Sequence, residues 1–326
     1  MLKFGNVKID TNIFLAPLSG CSDLPFRLIC REHGAKFCFY EMTECNSIMH
    51  PRKKTCEILK THKDDTPVAA QLLGSDPVLM LDAAQKLLEM VKVPFLDINC
   101  ACPAKKVTSK KAGVYMMRDT ARMLKIVSTL SSKLPIPVTV KIRIGVDRKD
   151  PEGLLDTVRK TVDNGAAAIF VHGRTGAQGY SGDVDYEAIR SIKDAVNIPV
   201  IGVGNILSPA LAKKMLDETG CDGICIARGA FGNPWIFKDT EEYLKNGTLI
   251  SSGMNIHAKK EVIKKHLAYI EDLKEIRAAS KTGFMRKVTL WYIKAFPRAA
   301  RLREIICKAR NYEEIVKLVD SLPLSA

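Results

Sequence analysis

Residues 96–107 read LDINCACPAKKV. The apolar opening, from Phe95 through Ile98, has the length of a strand buried on both faces, and Pro103 keeps the chain from entering a helix at once. Cys100 and Cys102 therefore stand where a strand ends. Runs of the same kind begin near Ile13 (IFLAP), Phe37 (FCFYEM), Pro67 (PVAAQL), Pro137 (PVTVKI), Ala168 (AIFVH), Pro199 (PVIGV) and Gly223 (GICIA), which makes eight in all. Between most of them lie helix-periodic segments, 77–91, 119–130, 152–162 and 208–216, several opened by an Asp or Ser suited to an N-cap. Eight strands alternating with helices predict an α/β fold, a (β/α)8 TIM barrel. A doubly wound sheet is the alternative, but no GxGxxG follows the first strand.

After Asn246-Gly247 the pattern turns purely helical: Ile263, Leu267 and Ile270, then Phe284, Val288 and Trp291, then Leu302, Ile305 and Ala309, then Tyr312, Ile315 and Val319 recur at helical spacing. The expectation is a barrel over 1–245 and a C-terminal all-α bundle of about four helices over 246–326.

At 326 residues and 46% apolar content the chain can build a large core. No stretch approaches the roughly 18 uninterrupted apolar residues of a spanning helix, and the N-terminus lacks a signal pattern, so a cytoplasmic protein without membrane contact is expected. None of the ten cysteines forms a CxxC pair, which speaks against a metal ribbon or a disulfide scaffold. No heptad seam suggests assembly, and a monomer is expected. The net charge of +14 points to an anionic partner such as nucleic acid. Residues 251–326 hold 16 Lys and Arg against 8 Asp and Glu, and 281–310 hold nine cations against the single anion Glu304. That excess is too one-sided for pairing along a helix and favours phosphate binding.

In a barrel, chemistry belongs at the C-terminal strand ends. Those ends are polar: Pro17-Leu18-Ser19, Gln71, Asn99 with Cys102, Lys141 with Arg143, His172, Gly204-Asn205 and Arg228-Gly229. Lys141 and His172 follow apolar runs and need partners; an ion pair with a strand-end carboxylate such as Glu41 is the structural alternative to a functional one. The glycine turns IGVGN (201–205) and ARGAFGN (227–233) suit a phosphate, with Arg228 supplying a guanidinium fork. Combined with the Lys after strand 5 and the Gln after strand 3, they suggest a flavin mononucleotide site.

The motifs LAPLSGCSDLPFR (15–27), DINCACPAKKV (97–107), VKIRIG (140–145), VHGRTGAQGYSGDVDY (171–186), IPVIGVGNI (198–206), ARGAFGNPWIF (227–237) and MRKVTLWYIKAFPRAARLRE (285–304) resemble, in order, those of the tRNA-dihydrouridine synthases. The resemblance implies an FMN-bearing barrel with a helical C-terminal domain that reduces the C5–C6 bond of particular tRNA uridines. NADPH (or NADH) is the implied reductant. It implies flavin contacts at Pro17, Leu18, Ser19, Gln71, Lys141 and His172, and phosphate contacts at Val203, Gly204, Asn205, Ala227, Arg228 and Gly229. Cys102 matches the catalytic cysteine, and Cys100 matches no functional position. Arg174, Gln178 and Tyr180 resemble positions facing the RNA or base. With the tail cations Arg286, Lys287, Arg298 and Arg301 they make up the expected substrate contacts, together with Asn99 and Arg143. Three departures stand out: Ala101 before the cysteine, Lys111 and the Val203–Asn205 stretch replace residues usual in the family.

The expected chemistry is hydride transfer from flavin N5 to uracil C6, with Cys102 giving a proton to C5. A thiol of ordinary pKa, about 8.5, is mostly protonated at neutral pH and can still release its proton. Charge developing on the uracil oxygen would meet donors among Asn99, Arg143 and Lys141. The target base must leave its stack to reach a barrel mouth. Two alternatives compete: a flavin barrel acting on a free pyrimidine, like a dihydroorotate or dihydropyrimidine dehydrogenase, and an RNA-binding barrel without chemistry. The basic tail argues against the first, and intact Cys102, Lys141 and His172 against the second.

Overall fold

The computed structural model describes residues 2–249, 255–296 and 298–322, with the side chain of Ala295 left out. Positions 250–254 and 323–326 of the expected helical domain, and Pro297 of the last motif, lie outside the described residues. Eight parallel strands form the barrel: β1 (Ile13–Leu15), β2 (Cys38–Phe39), β3 (Val68–Leu73), β4 (Leu96–Cys100), β5 (Val138–Arg143), β6 (Ile169–His172), β7 (Val200–Val203) and β8 (Gly223–Ile226). Neighbours in sequence pair side by side around the ring, and β8 returns to β1 through Ile224 opposite Ile13. The seam between β1 and β2 is thin, a single bridge of Phe14 to Phe37 in which the Leu15 N–H donates to the Phe37 carbonyl at 2.9 Å.

The run FCFYEM does not make one strand. It pairs with β3 at Cys38–Phe39, breaks, and pairs again at Thr43–Glu44 beside Leu72–Leu73. The break frees Glu41 and Met42 at the barrel mouth.

The helices between the strands behave as their caps require. Asp23, Asp76, Asp119, Asp150, Asp185 and Ser208 each accept a backbone N–H of the first turn, and each such cap contributes about 1 kcal/mol. Their apolar faces pack on the outside of the sheet. Inside the barrel, Phe14, Phe37, Phe39, Phe95 and Phe170 pack ring to ring. The floor is a hairpin absent from the sequence reading: Leu2–Phe4 pairs antiparallel with Val7–Ile9 across Gly5-Asn6, and Phe4 enters the aromatic cluster with no exposed surface. Gly-Asn between two apolar pairs was the available signal, on strands only three residues long.

Among the described residues four α-helices follow the barrel: Ile256–Leu273, Ala278–Tyr292, Ala299–Lys308 and Tyr312–Asp320. Their core holds Ile263, Leu267, Ile270, Val288, Ile315 and Val319. One face differs from the reading: Ile305 is 38% exposed, and Ile306 is buried in its place. At the junction with the barrel Trp291 stacks on Phe231 at 4.3 Å and stands edge-on to Phe26. A buried ion pair, Lys274 to Asp23 at 2.8 Å, lies in the same junction. No helix among the described residues is long and apolar enough to cross a membrane.

Candidate active site

Strand parity builds the site. Gln71, Asp97 and Thr139 stand directly opposite one another across β3, β4 and β5, and one pleat nearer the mouth Asn99 stands opposite Lys141. Side chains two residues apart share a face, so Asp97 and Asn99 both point inward, as do Thr139, Lys141 and Arg143. The two cysteines of the opening stretch, also two residues apart, part company because the strand ends at Cys100. Cys100 belongs to the core outside the sheet, where burial pushes its thiol far above the usual range, whereas Cys102 lies past the strand end and lines the cavity.

A hydrogen-bond chain joins the inward groups. Thr139 Oγ1 and Gln71 Nε2 donate to the two carboxyl oxygens of Asp97, each at 2.6 Å. Asn99 Nδ2 donates to Gln71 Oε1 at 2.7 Å, and Asn99 Oδ1 accepts the backbone N–H groups of Ala101 and Cys102 at 3.1 and 2.9 Å. Because Asp97 faces the Gln71 amide with oxygens, the amide orientations along the chain are determined. Asp97 and Thr139 escaped the sequence reading, although a count of two back from Asn99 and from Lys141 reaches both. Behind the Cys102 loop Gly113 sits at φ +64, and a Cβ there would lie 2.5 Å from the Cys102 carbonyl oxygen. Lys111 also takes a positive φ, 56°, so the loop keeps a left-handed turn with lysine at that departure.

The chain encloses one wall of a cavity of about 380 Å³ at the barrel mouth. Every residue expected at a cofactor lines it: Pro17, Leu18, Ser19, Gln71, Lys141, His172, Val203, Gly204, Asn205, Ala227, Arg228 and Gly229. So do Cys102, Asn99, Arg143 and Tyr180. The two glycine turns are packed on each other, since a Cβ on Gly229 would meet the Ile206 carbonyl oxygen at 2.0 Å. Asn205 itself adopts φ 50° after Gly204.

The cavity is electropositive. Lys141 makes no hydrogen bond or ion pair among the described residues, and Glu41, its suggested partner, instead accepts the Gly20 N–H. Burial lowers the Lys141 pKa. His172 is held down to about 2 by burial and then by Lys141, Arg143, Arg174 and Arg228, so it presents a neutral ring at any working pH. An unpaired ammonium aimed into a cavity beside a neutral imidazole suits an electron-rich ligand edge.

Among the expected substrate contacts, Asn99, Arg143 and Tyr180 line the cavity, whereas Arg174, Gln178 and the four tail cations do not. Arg143 is buried and donates to the carbonyls of Ala101, Thr175 and Gly179, which leaves its Nη2 uncommitted. Arg174 is buried, outside the cavity lining, and donates to the carbonyls of Ser181 and Gly182. Gln178 accepts the Thr175 N–H within its own loop. Tyr180 is 59% exposed at the rim, with Arg228 stacked 4.4 Å from its ring centre. Arg286 donates to the Ala309 carbonyl at 2.7 Å, and Lys287 donates to the Gly20 carbonyl. Arg298 and Arg301 are exposed on the helical part.

Residues 14–323 match the family model described as dihydrouridine synthase (Dus). The chain belongs to the dihydrouridine synthase family. It is similar to tRNA-dihydrouridine synthase B of Pseudomonas aeruginosa, with 36% identity over 309 residues, 93% of this chain and 90% of the relative. A probable tRNA-dihydrouridine synthase of Rickettsia prowazekii is 36% identical over 305 residues, covering 93% and 91% of the two chains. Among solved structures, the old yellow enzyme homologue of Zymomonas mobilis superposes with a TM-score of 0.55 at 13% identity, over 78% of this chain and 94% of that one. A morphinone reductase mutant gives 0.53 at 12% identity, over 76% and 90%. At that identity the likeness is one of fold: a barrel of the same architecture.

Proposed function

We propose that this protein is a flavin-dependent tRNA-dihydrouridine synthase, with residues 1–245 as the catalytic barrel and 246–326 as a basic tRNA-binding domain. The reading is supported by family membership together with the placing of an unpartnered Lys141 and of Cys102 around one cavity. That juxtaposition carries it.

FMN fits the residues present. Lys141, Gln71 and His172 would meet the ring, and the turns at Val203–Asn205 and Ala227–Gly229 would meet the phosphate through backbone N–H groups and Arg228. When bound, the flavin supplies a hydride from N5 to uracil C6 and is re-reduced by NADPH (or NADH). Cys102 gives the proton from its Sγ to C5. Asn99 holds the Cys102 backbone in place for that transfer, and Lys141 with the free Nη2 of Arg143 stabilises charge developing on the uracil oxygens. The exposed Tyr180 at the rim offers an aromatic face to an extruded base, with Arg228 stacked beneath it. Arg298 and Arg301 on the helical part would take phosphates.

The test is single-turnover reduction by the photoreduced, FMN-loaded protein, with unmodified tRNA, free uridine or orotate as acceptor. Dihydrouridine formed on tRNA alone, and largely lost in Cys102→Ala, is the expected result. Equal reduction of a free pyrimidine would overturn the substrate, and full activity of Cys102→Ala would overturn the acid.

A further inference from the structure

We infer that Lys287 positions the cofactor loop from across the domain junction and is not a phosphate contact; the inference rests on the FMN reading given above. The loop from Pro17 to Asp23 supplies three walls of the cavity, Pro17, Leu18 and Ser19. Its turn is made at Gly20, φ +72, and this residue is gripped on both sides. The buried Glu41 carboxylate, on the barrel, accepts the Gly20 N–H, and the Lys287 ammonium, on helix Ala278–Tyr292, donates to the Gly20 carbonyl.

The lysine is built in for that contact. Its Nζ lies 4.0 Å from the centre of the Phe284 ring and 5.3 Å from that of Trp291, and Trp291 is itself stacked on Phe231 of the barrel. Lys274 Nζ lies 4.3 Å from the centre of the same Phe284 ring and pairs with the buried Asp23 at the far end of the same loop. Two ammonium groups from the helical part therefore close the loop at Gly20 and at Asp23. Glu41 and Asp23 supply the compensating negative charge. An ammonium held this way is not free to displace counterions from a phosphate backbone. Its loss would instead leave the Gly20 carbonyl without its donor, remove one of the two ammonium groups, Lys274 and Lys287, whose fields act on the Glu41 carboxylate, and relax the wall against which the cofactor packs.

The experiment uses the full chain stripped of flavin, comparing wild type with Lys287→Met, which keeps the stem over the rings, and Lys287→Arg, which keeps a donor. Hydrogen–deuterium exchange of peptide 17–23 is measured before any cofactor is added. FMN affinity is then measured by fluorescence quenching, and tRNA affinity by filter binding over a salt series. Lys287→Met is expected to speed exchange of 17–23 and to weaken FMN by about tenfold, with tRNA affinity and its salt slope held within about twofold. Lys287→Arg is expected to restore protection and FMN affinity. Should Lys287→Met fail to fold, Lys287→Gln, too short to reach Gly20, carries the same expectations. Unchanged exchange, or a loss of tRNA affinity with FMN affinity intact, overturns the inference. If wild type binds no FMN while exchange still responds, the positional role stands and the flavin reading falls.

Discussion

The side-chain oxygen of Asn99 accepts the backbone N–H of Cys102 at 2.9 Å, while its amide nitrogen donates to Gln71. A residue that stands at a strand end and reads as a base contact thus ties the loop of Cys102 to Gln71 on the neighbouring strand. The consequences can be measured.

Replacing Asn99 by Ala leaves the N–H groups of Ala101 and Cys102 without acceptors, and both backbone groups are largely shielded. Each orphaned donor costs about 1–3 kcal/mol, less where water enters from the cavity. We expect a loss of about 2 kcal/mol in urea unfolding. The single-turnover rate should fall while FMN affinity changes little. A rate equal to wild type would show that the loop holds its shape without Asn99.

Gly113→Ala addresses the same loop from behind. Its Cβ would press on the Cys102 carbonyl oxygen at 2.5 Å from a backbone already at φ +64. The variant should be destabilised by about 1–3 kcal/mol. It should also lose turnover more than it loses tRNA affinity, which steady-state and binding titrations separate.

Asp97 gives a pH signature. Burial raises its pKa to about 6, against the hydrogen bonds from Gln71 and Thr139 and the field of Lys141. Between about pH 4 and that value the folded state holds the proton that the unfolded chain releases, so this group's contribution to stability falls as pH rises. Asp97→Asn should therefore gain on wild type by on the order of 3 kcal/mol between pH 4 and pH 7. Paired denaturant curves at the two pH values decide it, and a constant difference would refute it.

His172 runs the other way. Its folded pKa is depressed to about 2, so the unfolded chain takes up the proton first as pH drops. Its contribution is present above the ordinary imidazole pKa of about 6.5 and is lost below it, at about 1.4 kcal/mol per pH unit. In His172→Gln the acid-side slope of stability should be shallower by that amount.

Arg27 and Asp65 form an ion pair at 2.8 Å with neither side chain exposed, and Arg31 joins it at 3.2 Å. Asp65→Ala strands a buried guanidinium and should cost about 3–5 kcal/mol in thermal or urea unfolding. By contrast, charge removal at the exposed Arg301 should leave stability within about 0.5 kcal/mol and reduce the salt slope of tRNA binding by about one.

The alternation of apolar runs with capped helices, the cysteine before Pro103 and the polar strand ends are local facts, and the order of elements follows from them. The expected residues around the cavity come from seven different strand ends, yet their membership could be read because a parallel barrel brings every C-terminal end to one mouth. Less accessible were the groups whose role depends on parity or on a distant partner. The strand of Leu96–Cys100 alternates apolar Leu96, Ile98 and Cys100 with polar Asp97 and Asn99, and both sets are buried, so alternation alone does not tell which set faces the barrel interior. Ile305 and Ile306 raise the same ambiguity on a helix, where a rotation of one residue changes the buried face.

By itself the sequence determined the barrel, the helical tail, the excess of positive charge and the identity of the thiol at the end of β4. Those follow from periodicity, composition and spacing along the chain. Only the tertiary structure decided what each cation does. Arg143, Arg174, Arg286 and Lys287 carry the same charges as Arg298 and Arg301, but folding brings carbonyl oxygens within hydrogen-bond reach of the first four, for all but Arg174 from more than 20 residues away, and leaves the last two in solvent. A buried donor must be satisfied wherever the fold puts it, and the partner that satisfies it can lie hundreds of residues away, as Gly20 does from Lys287.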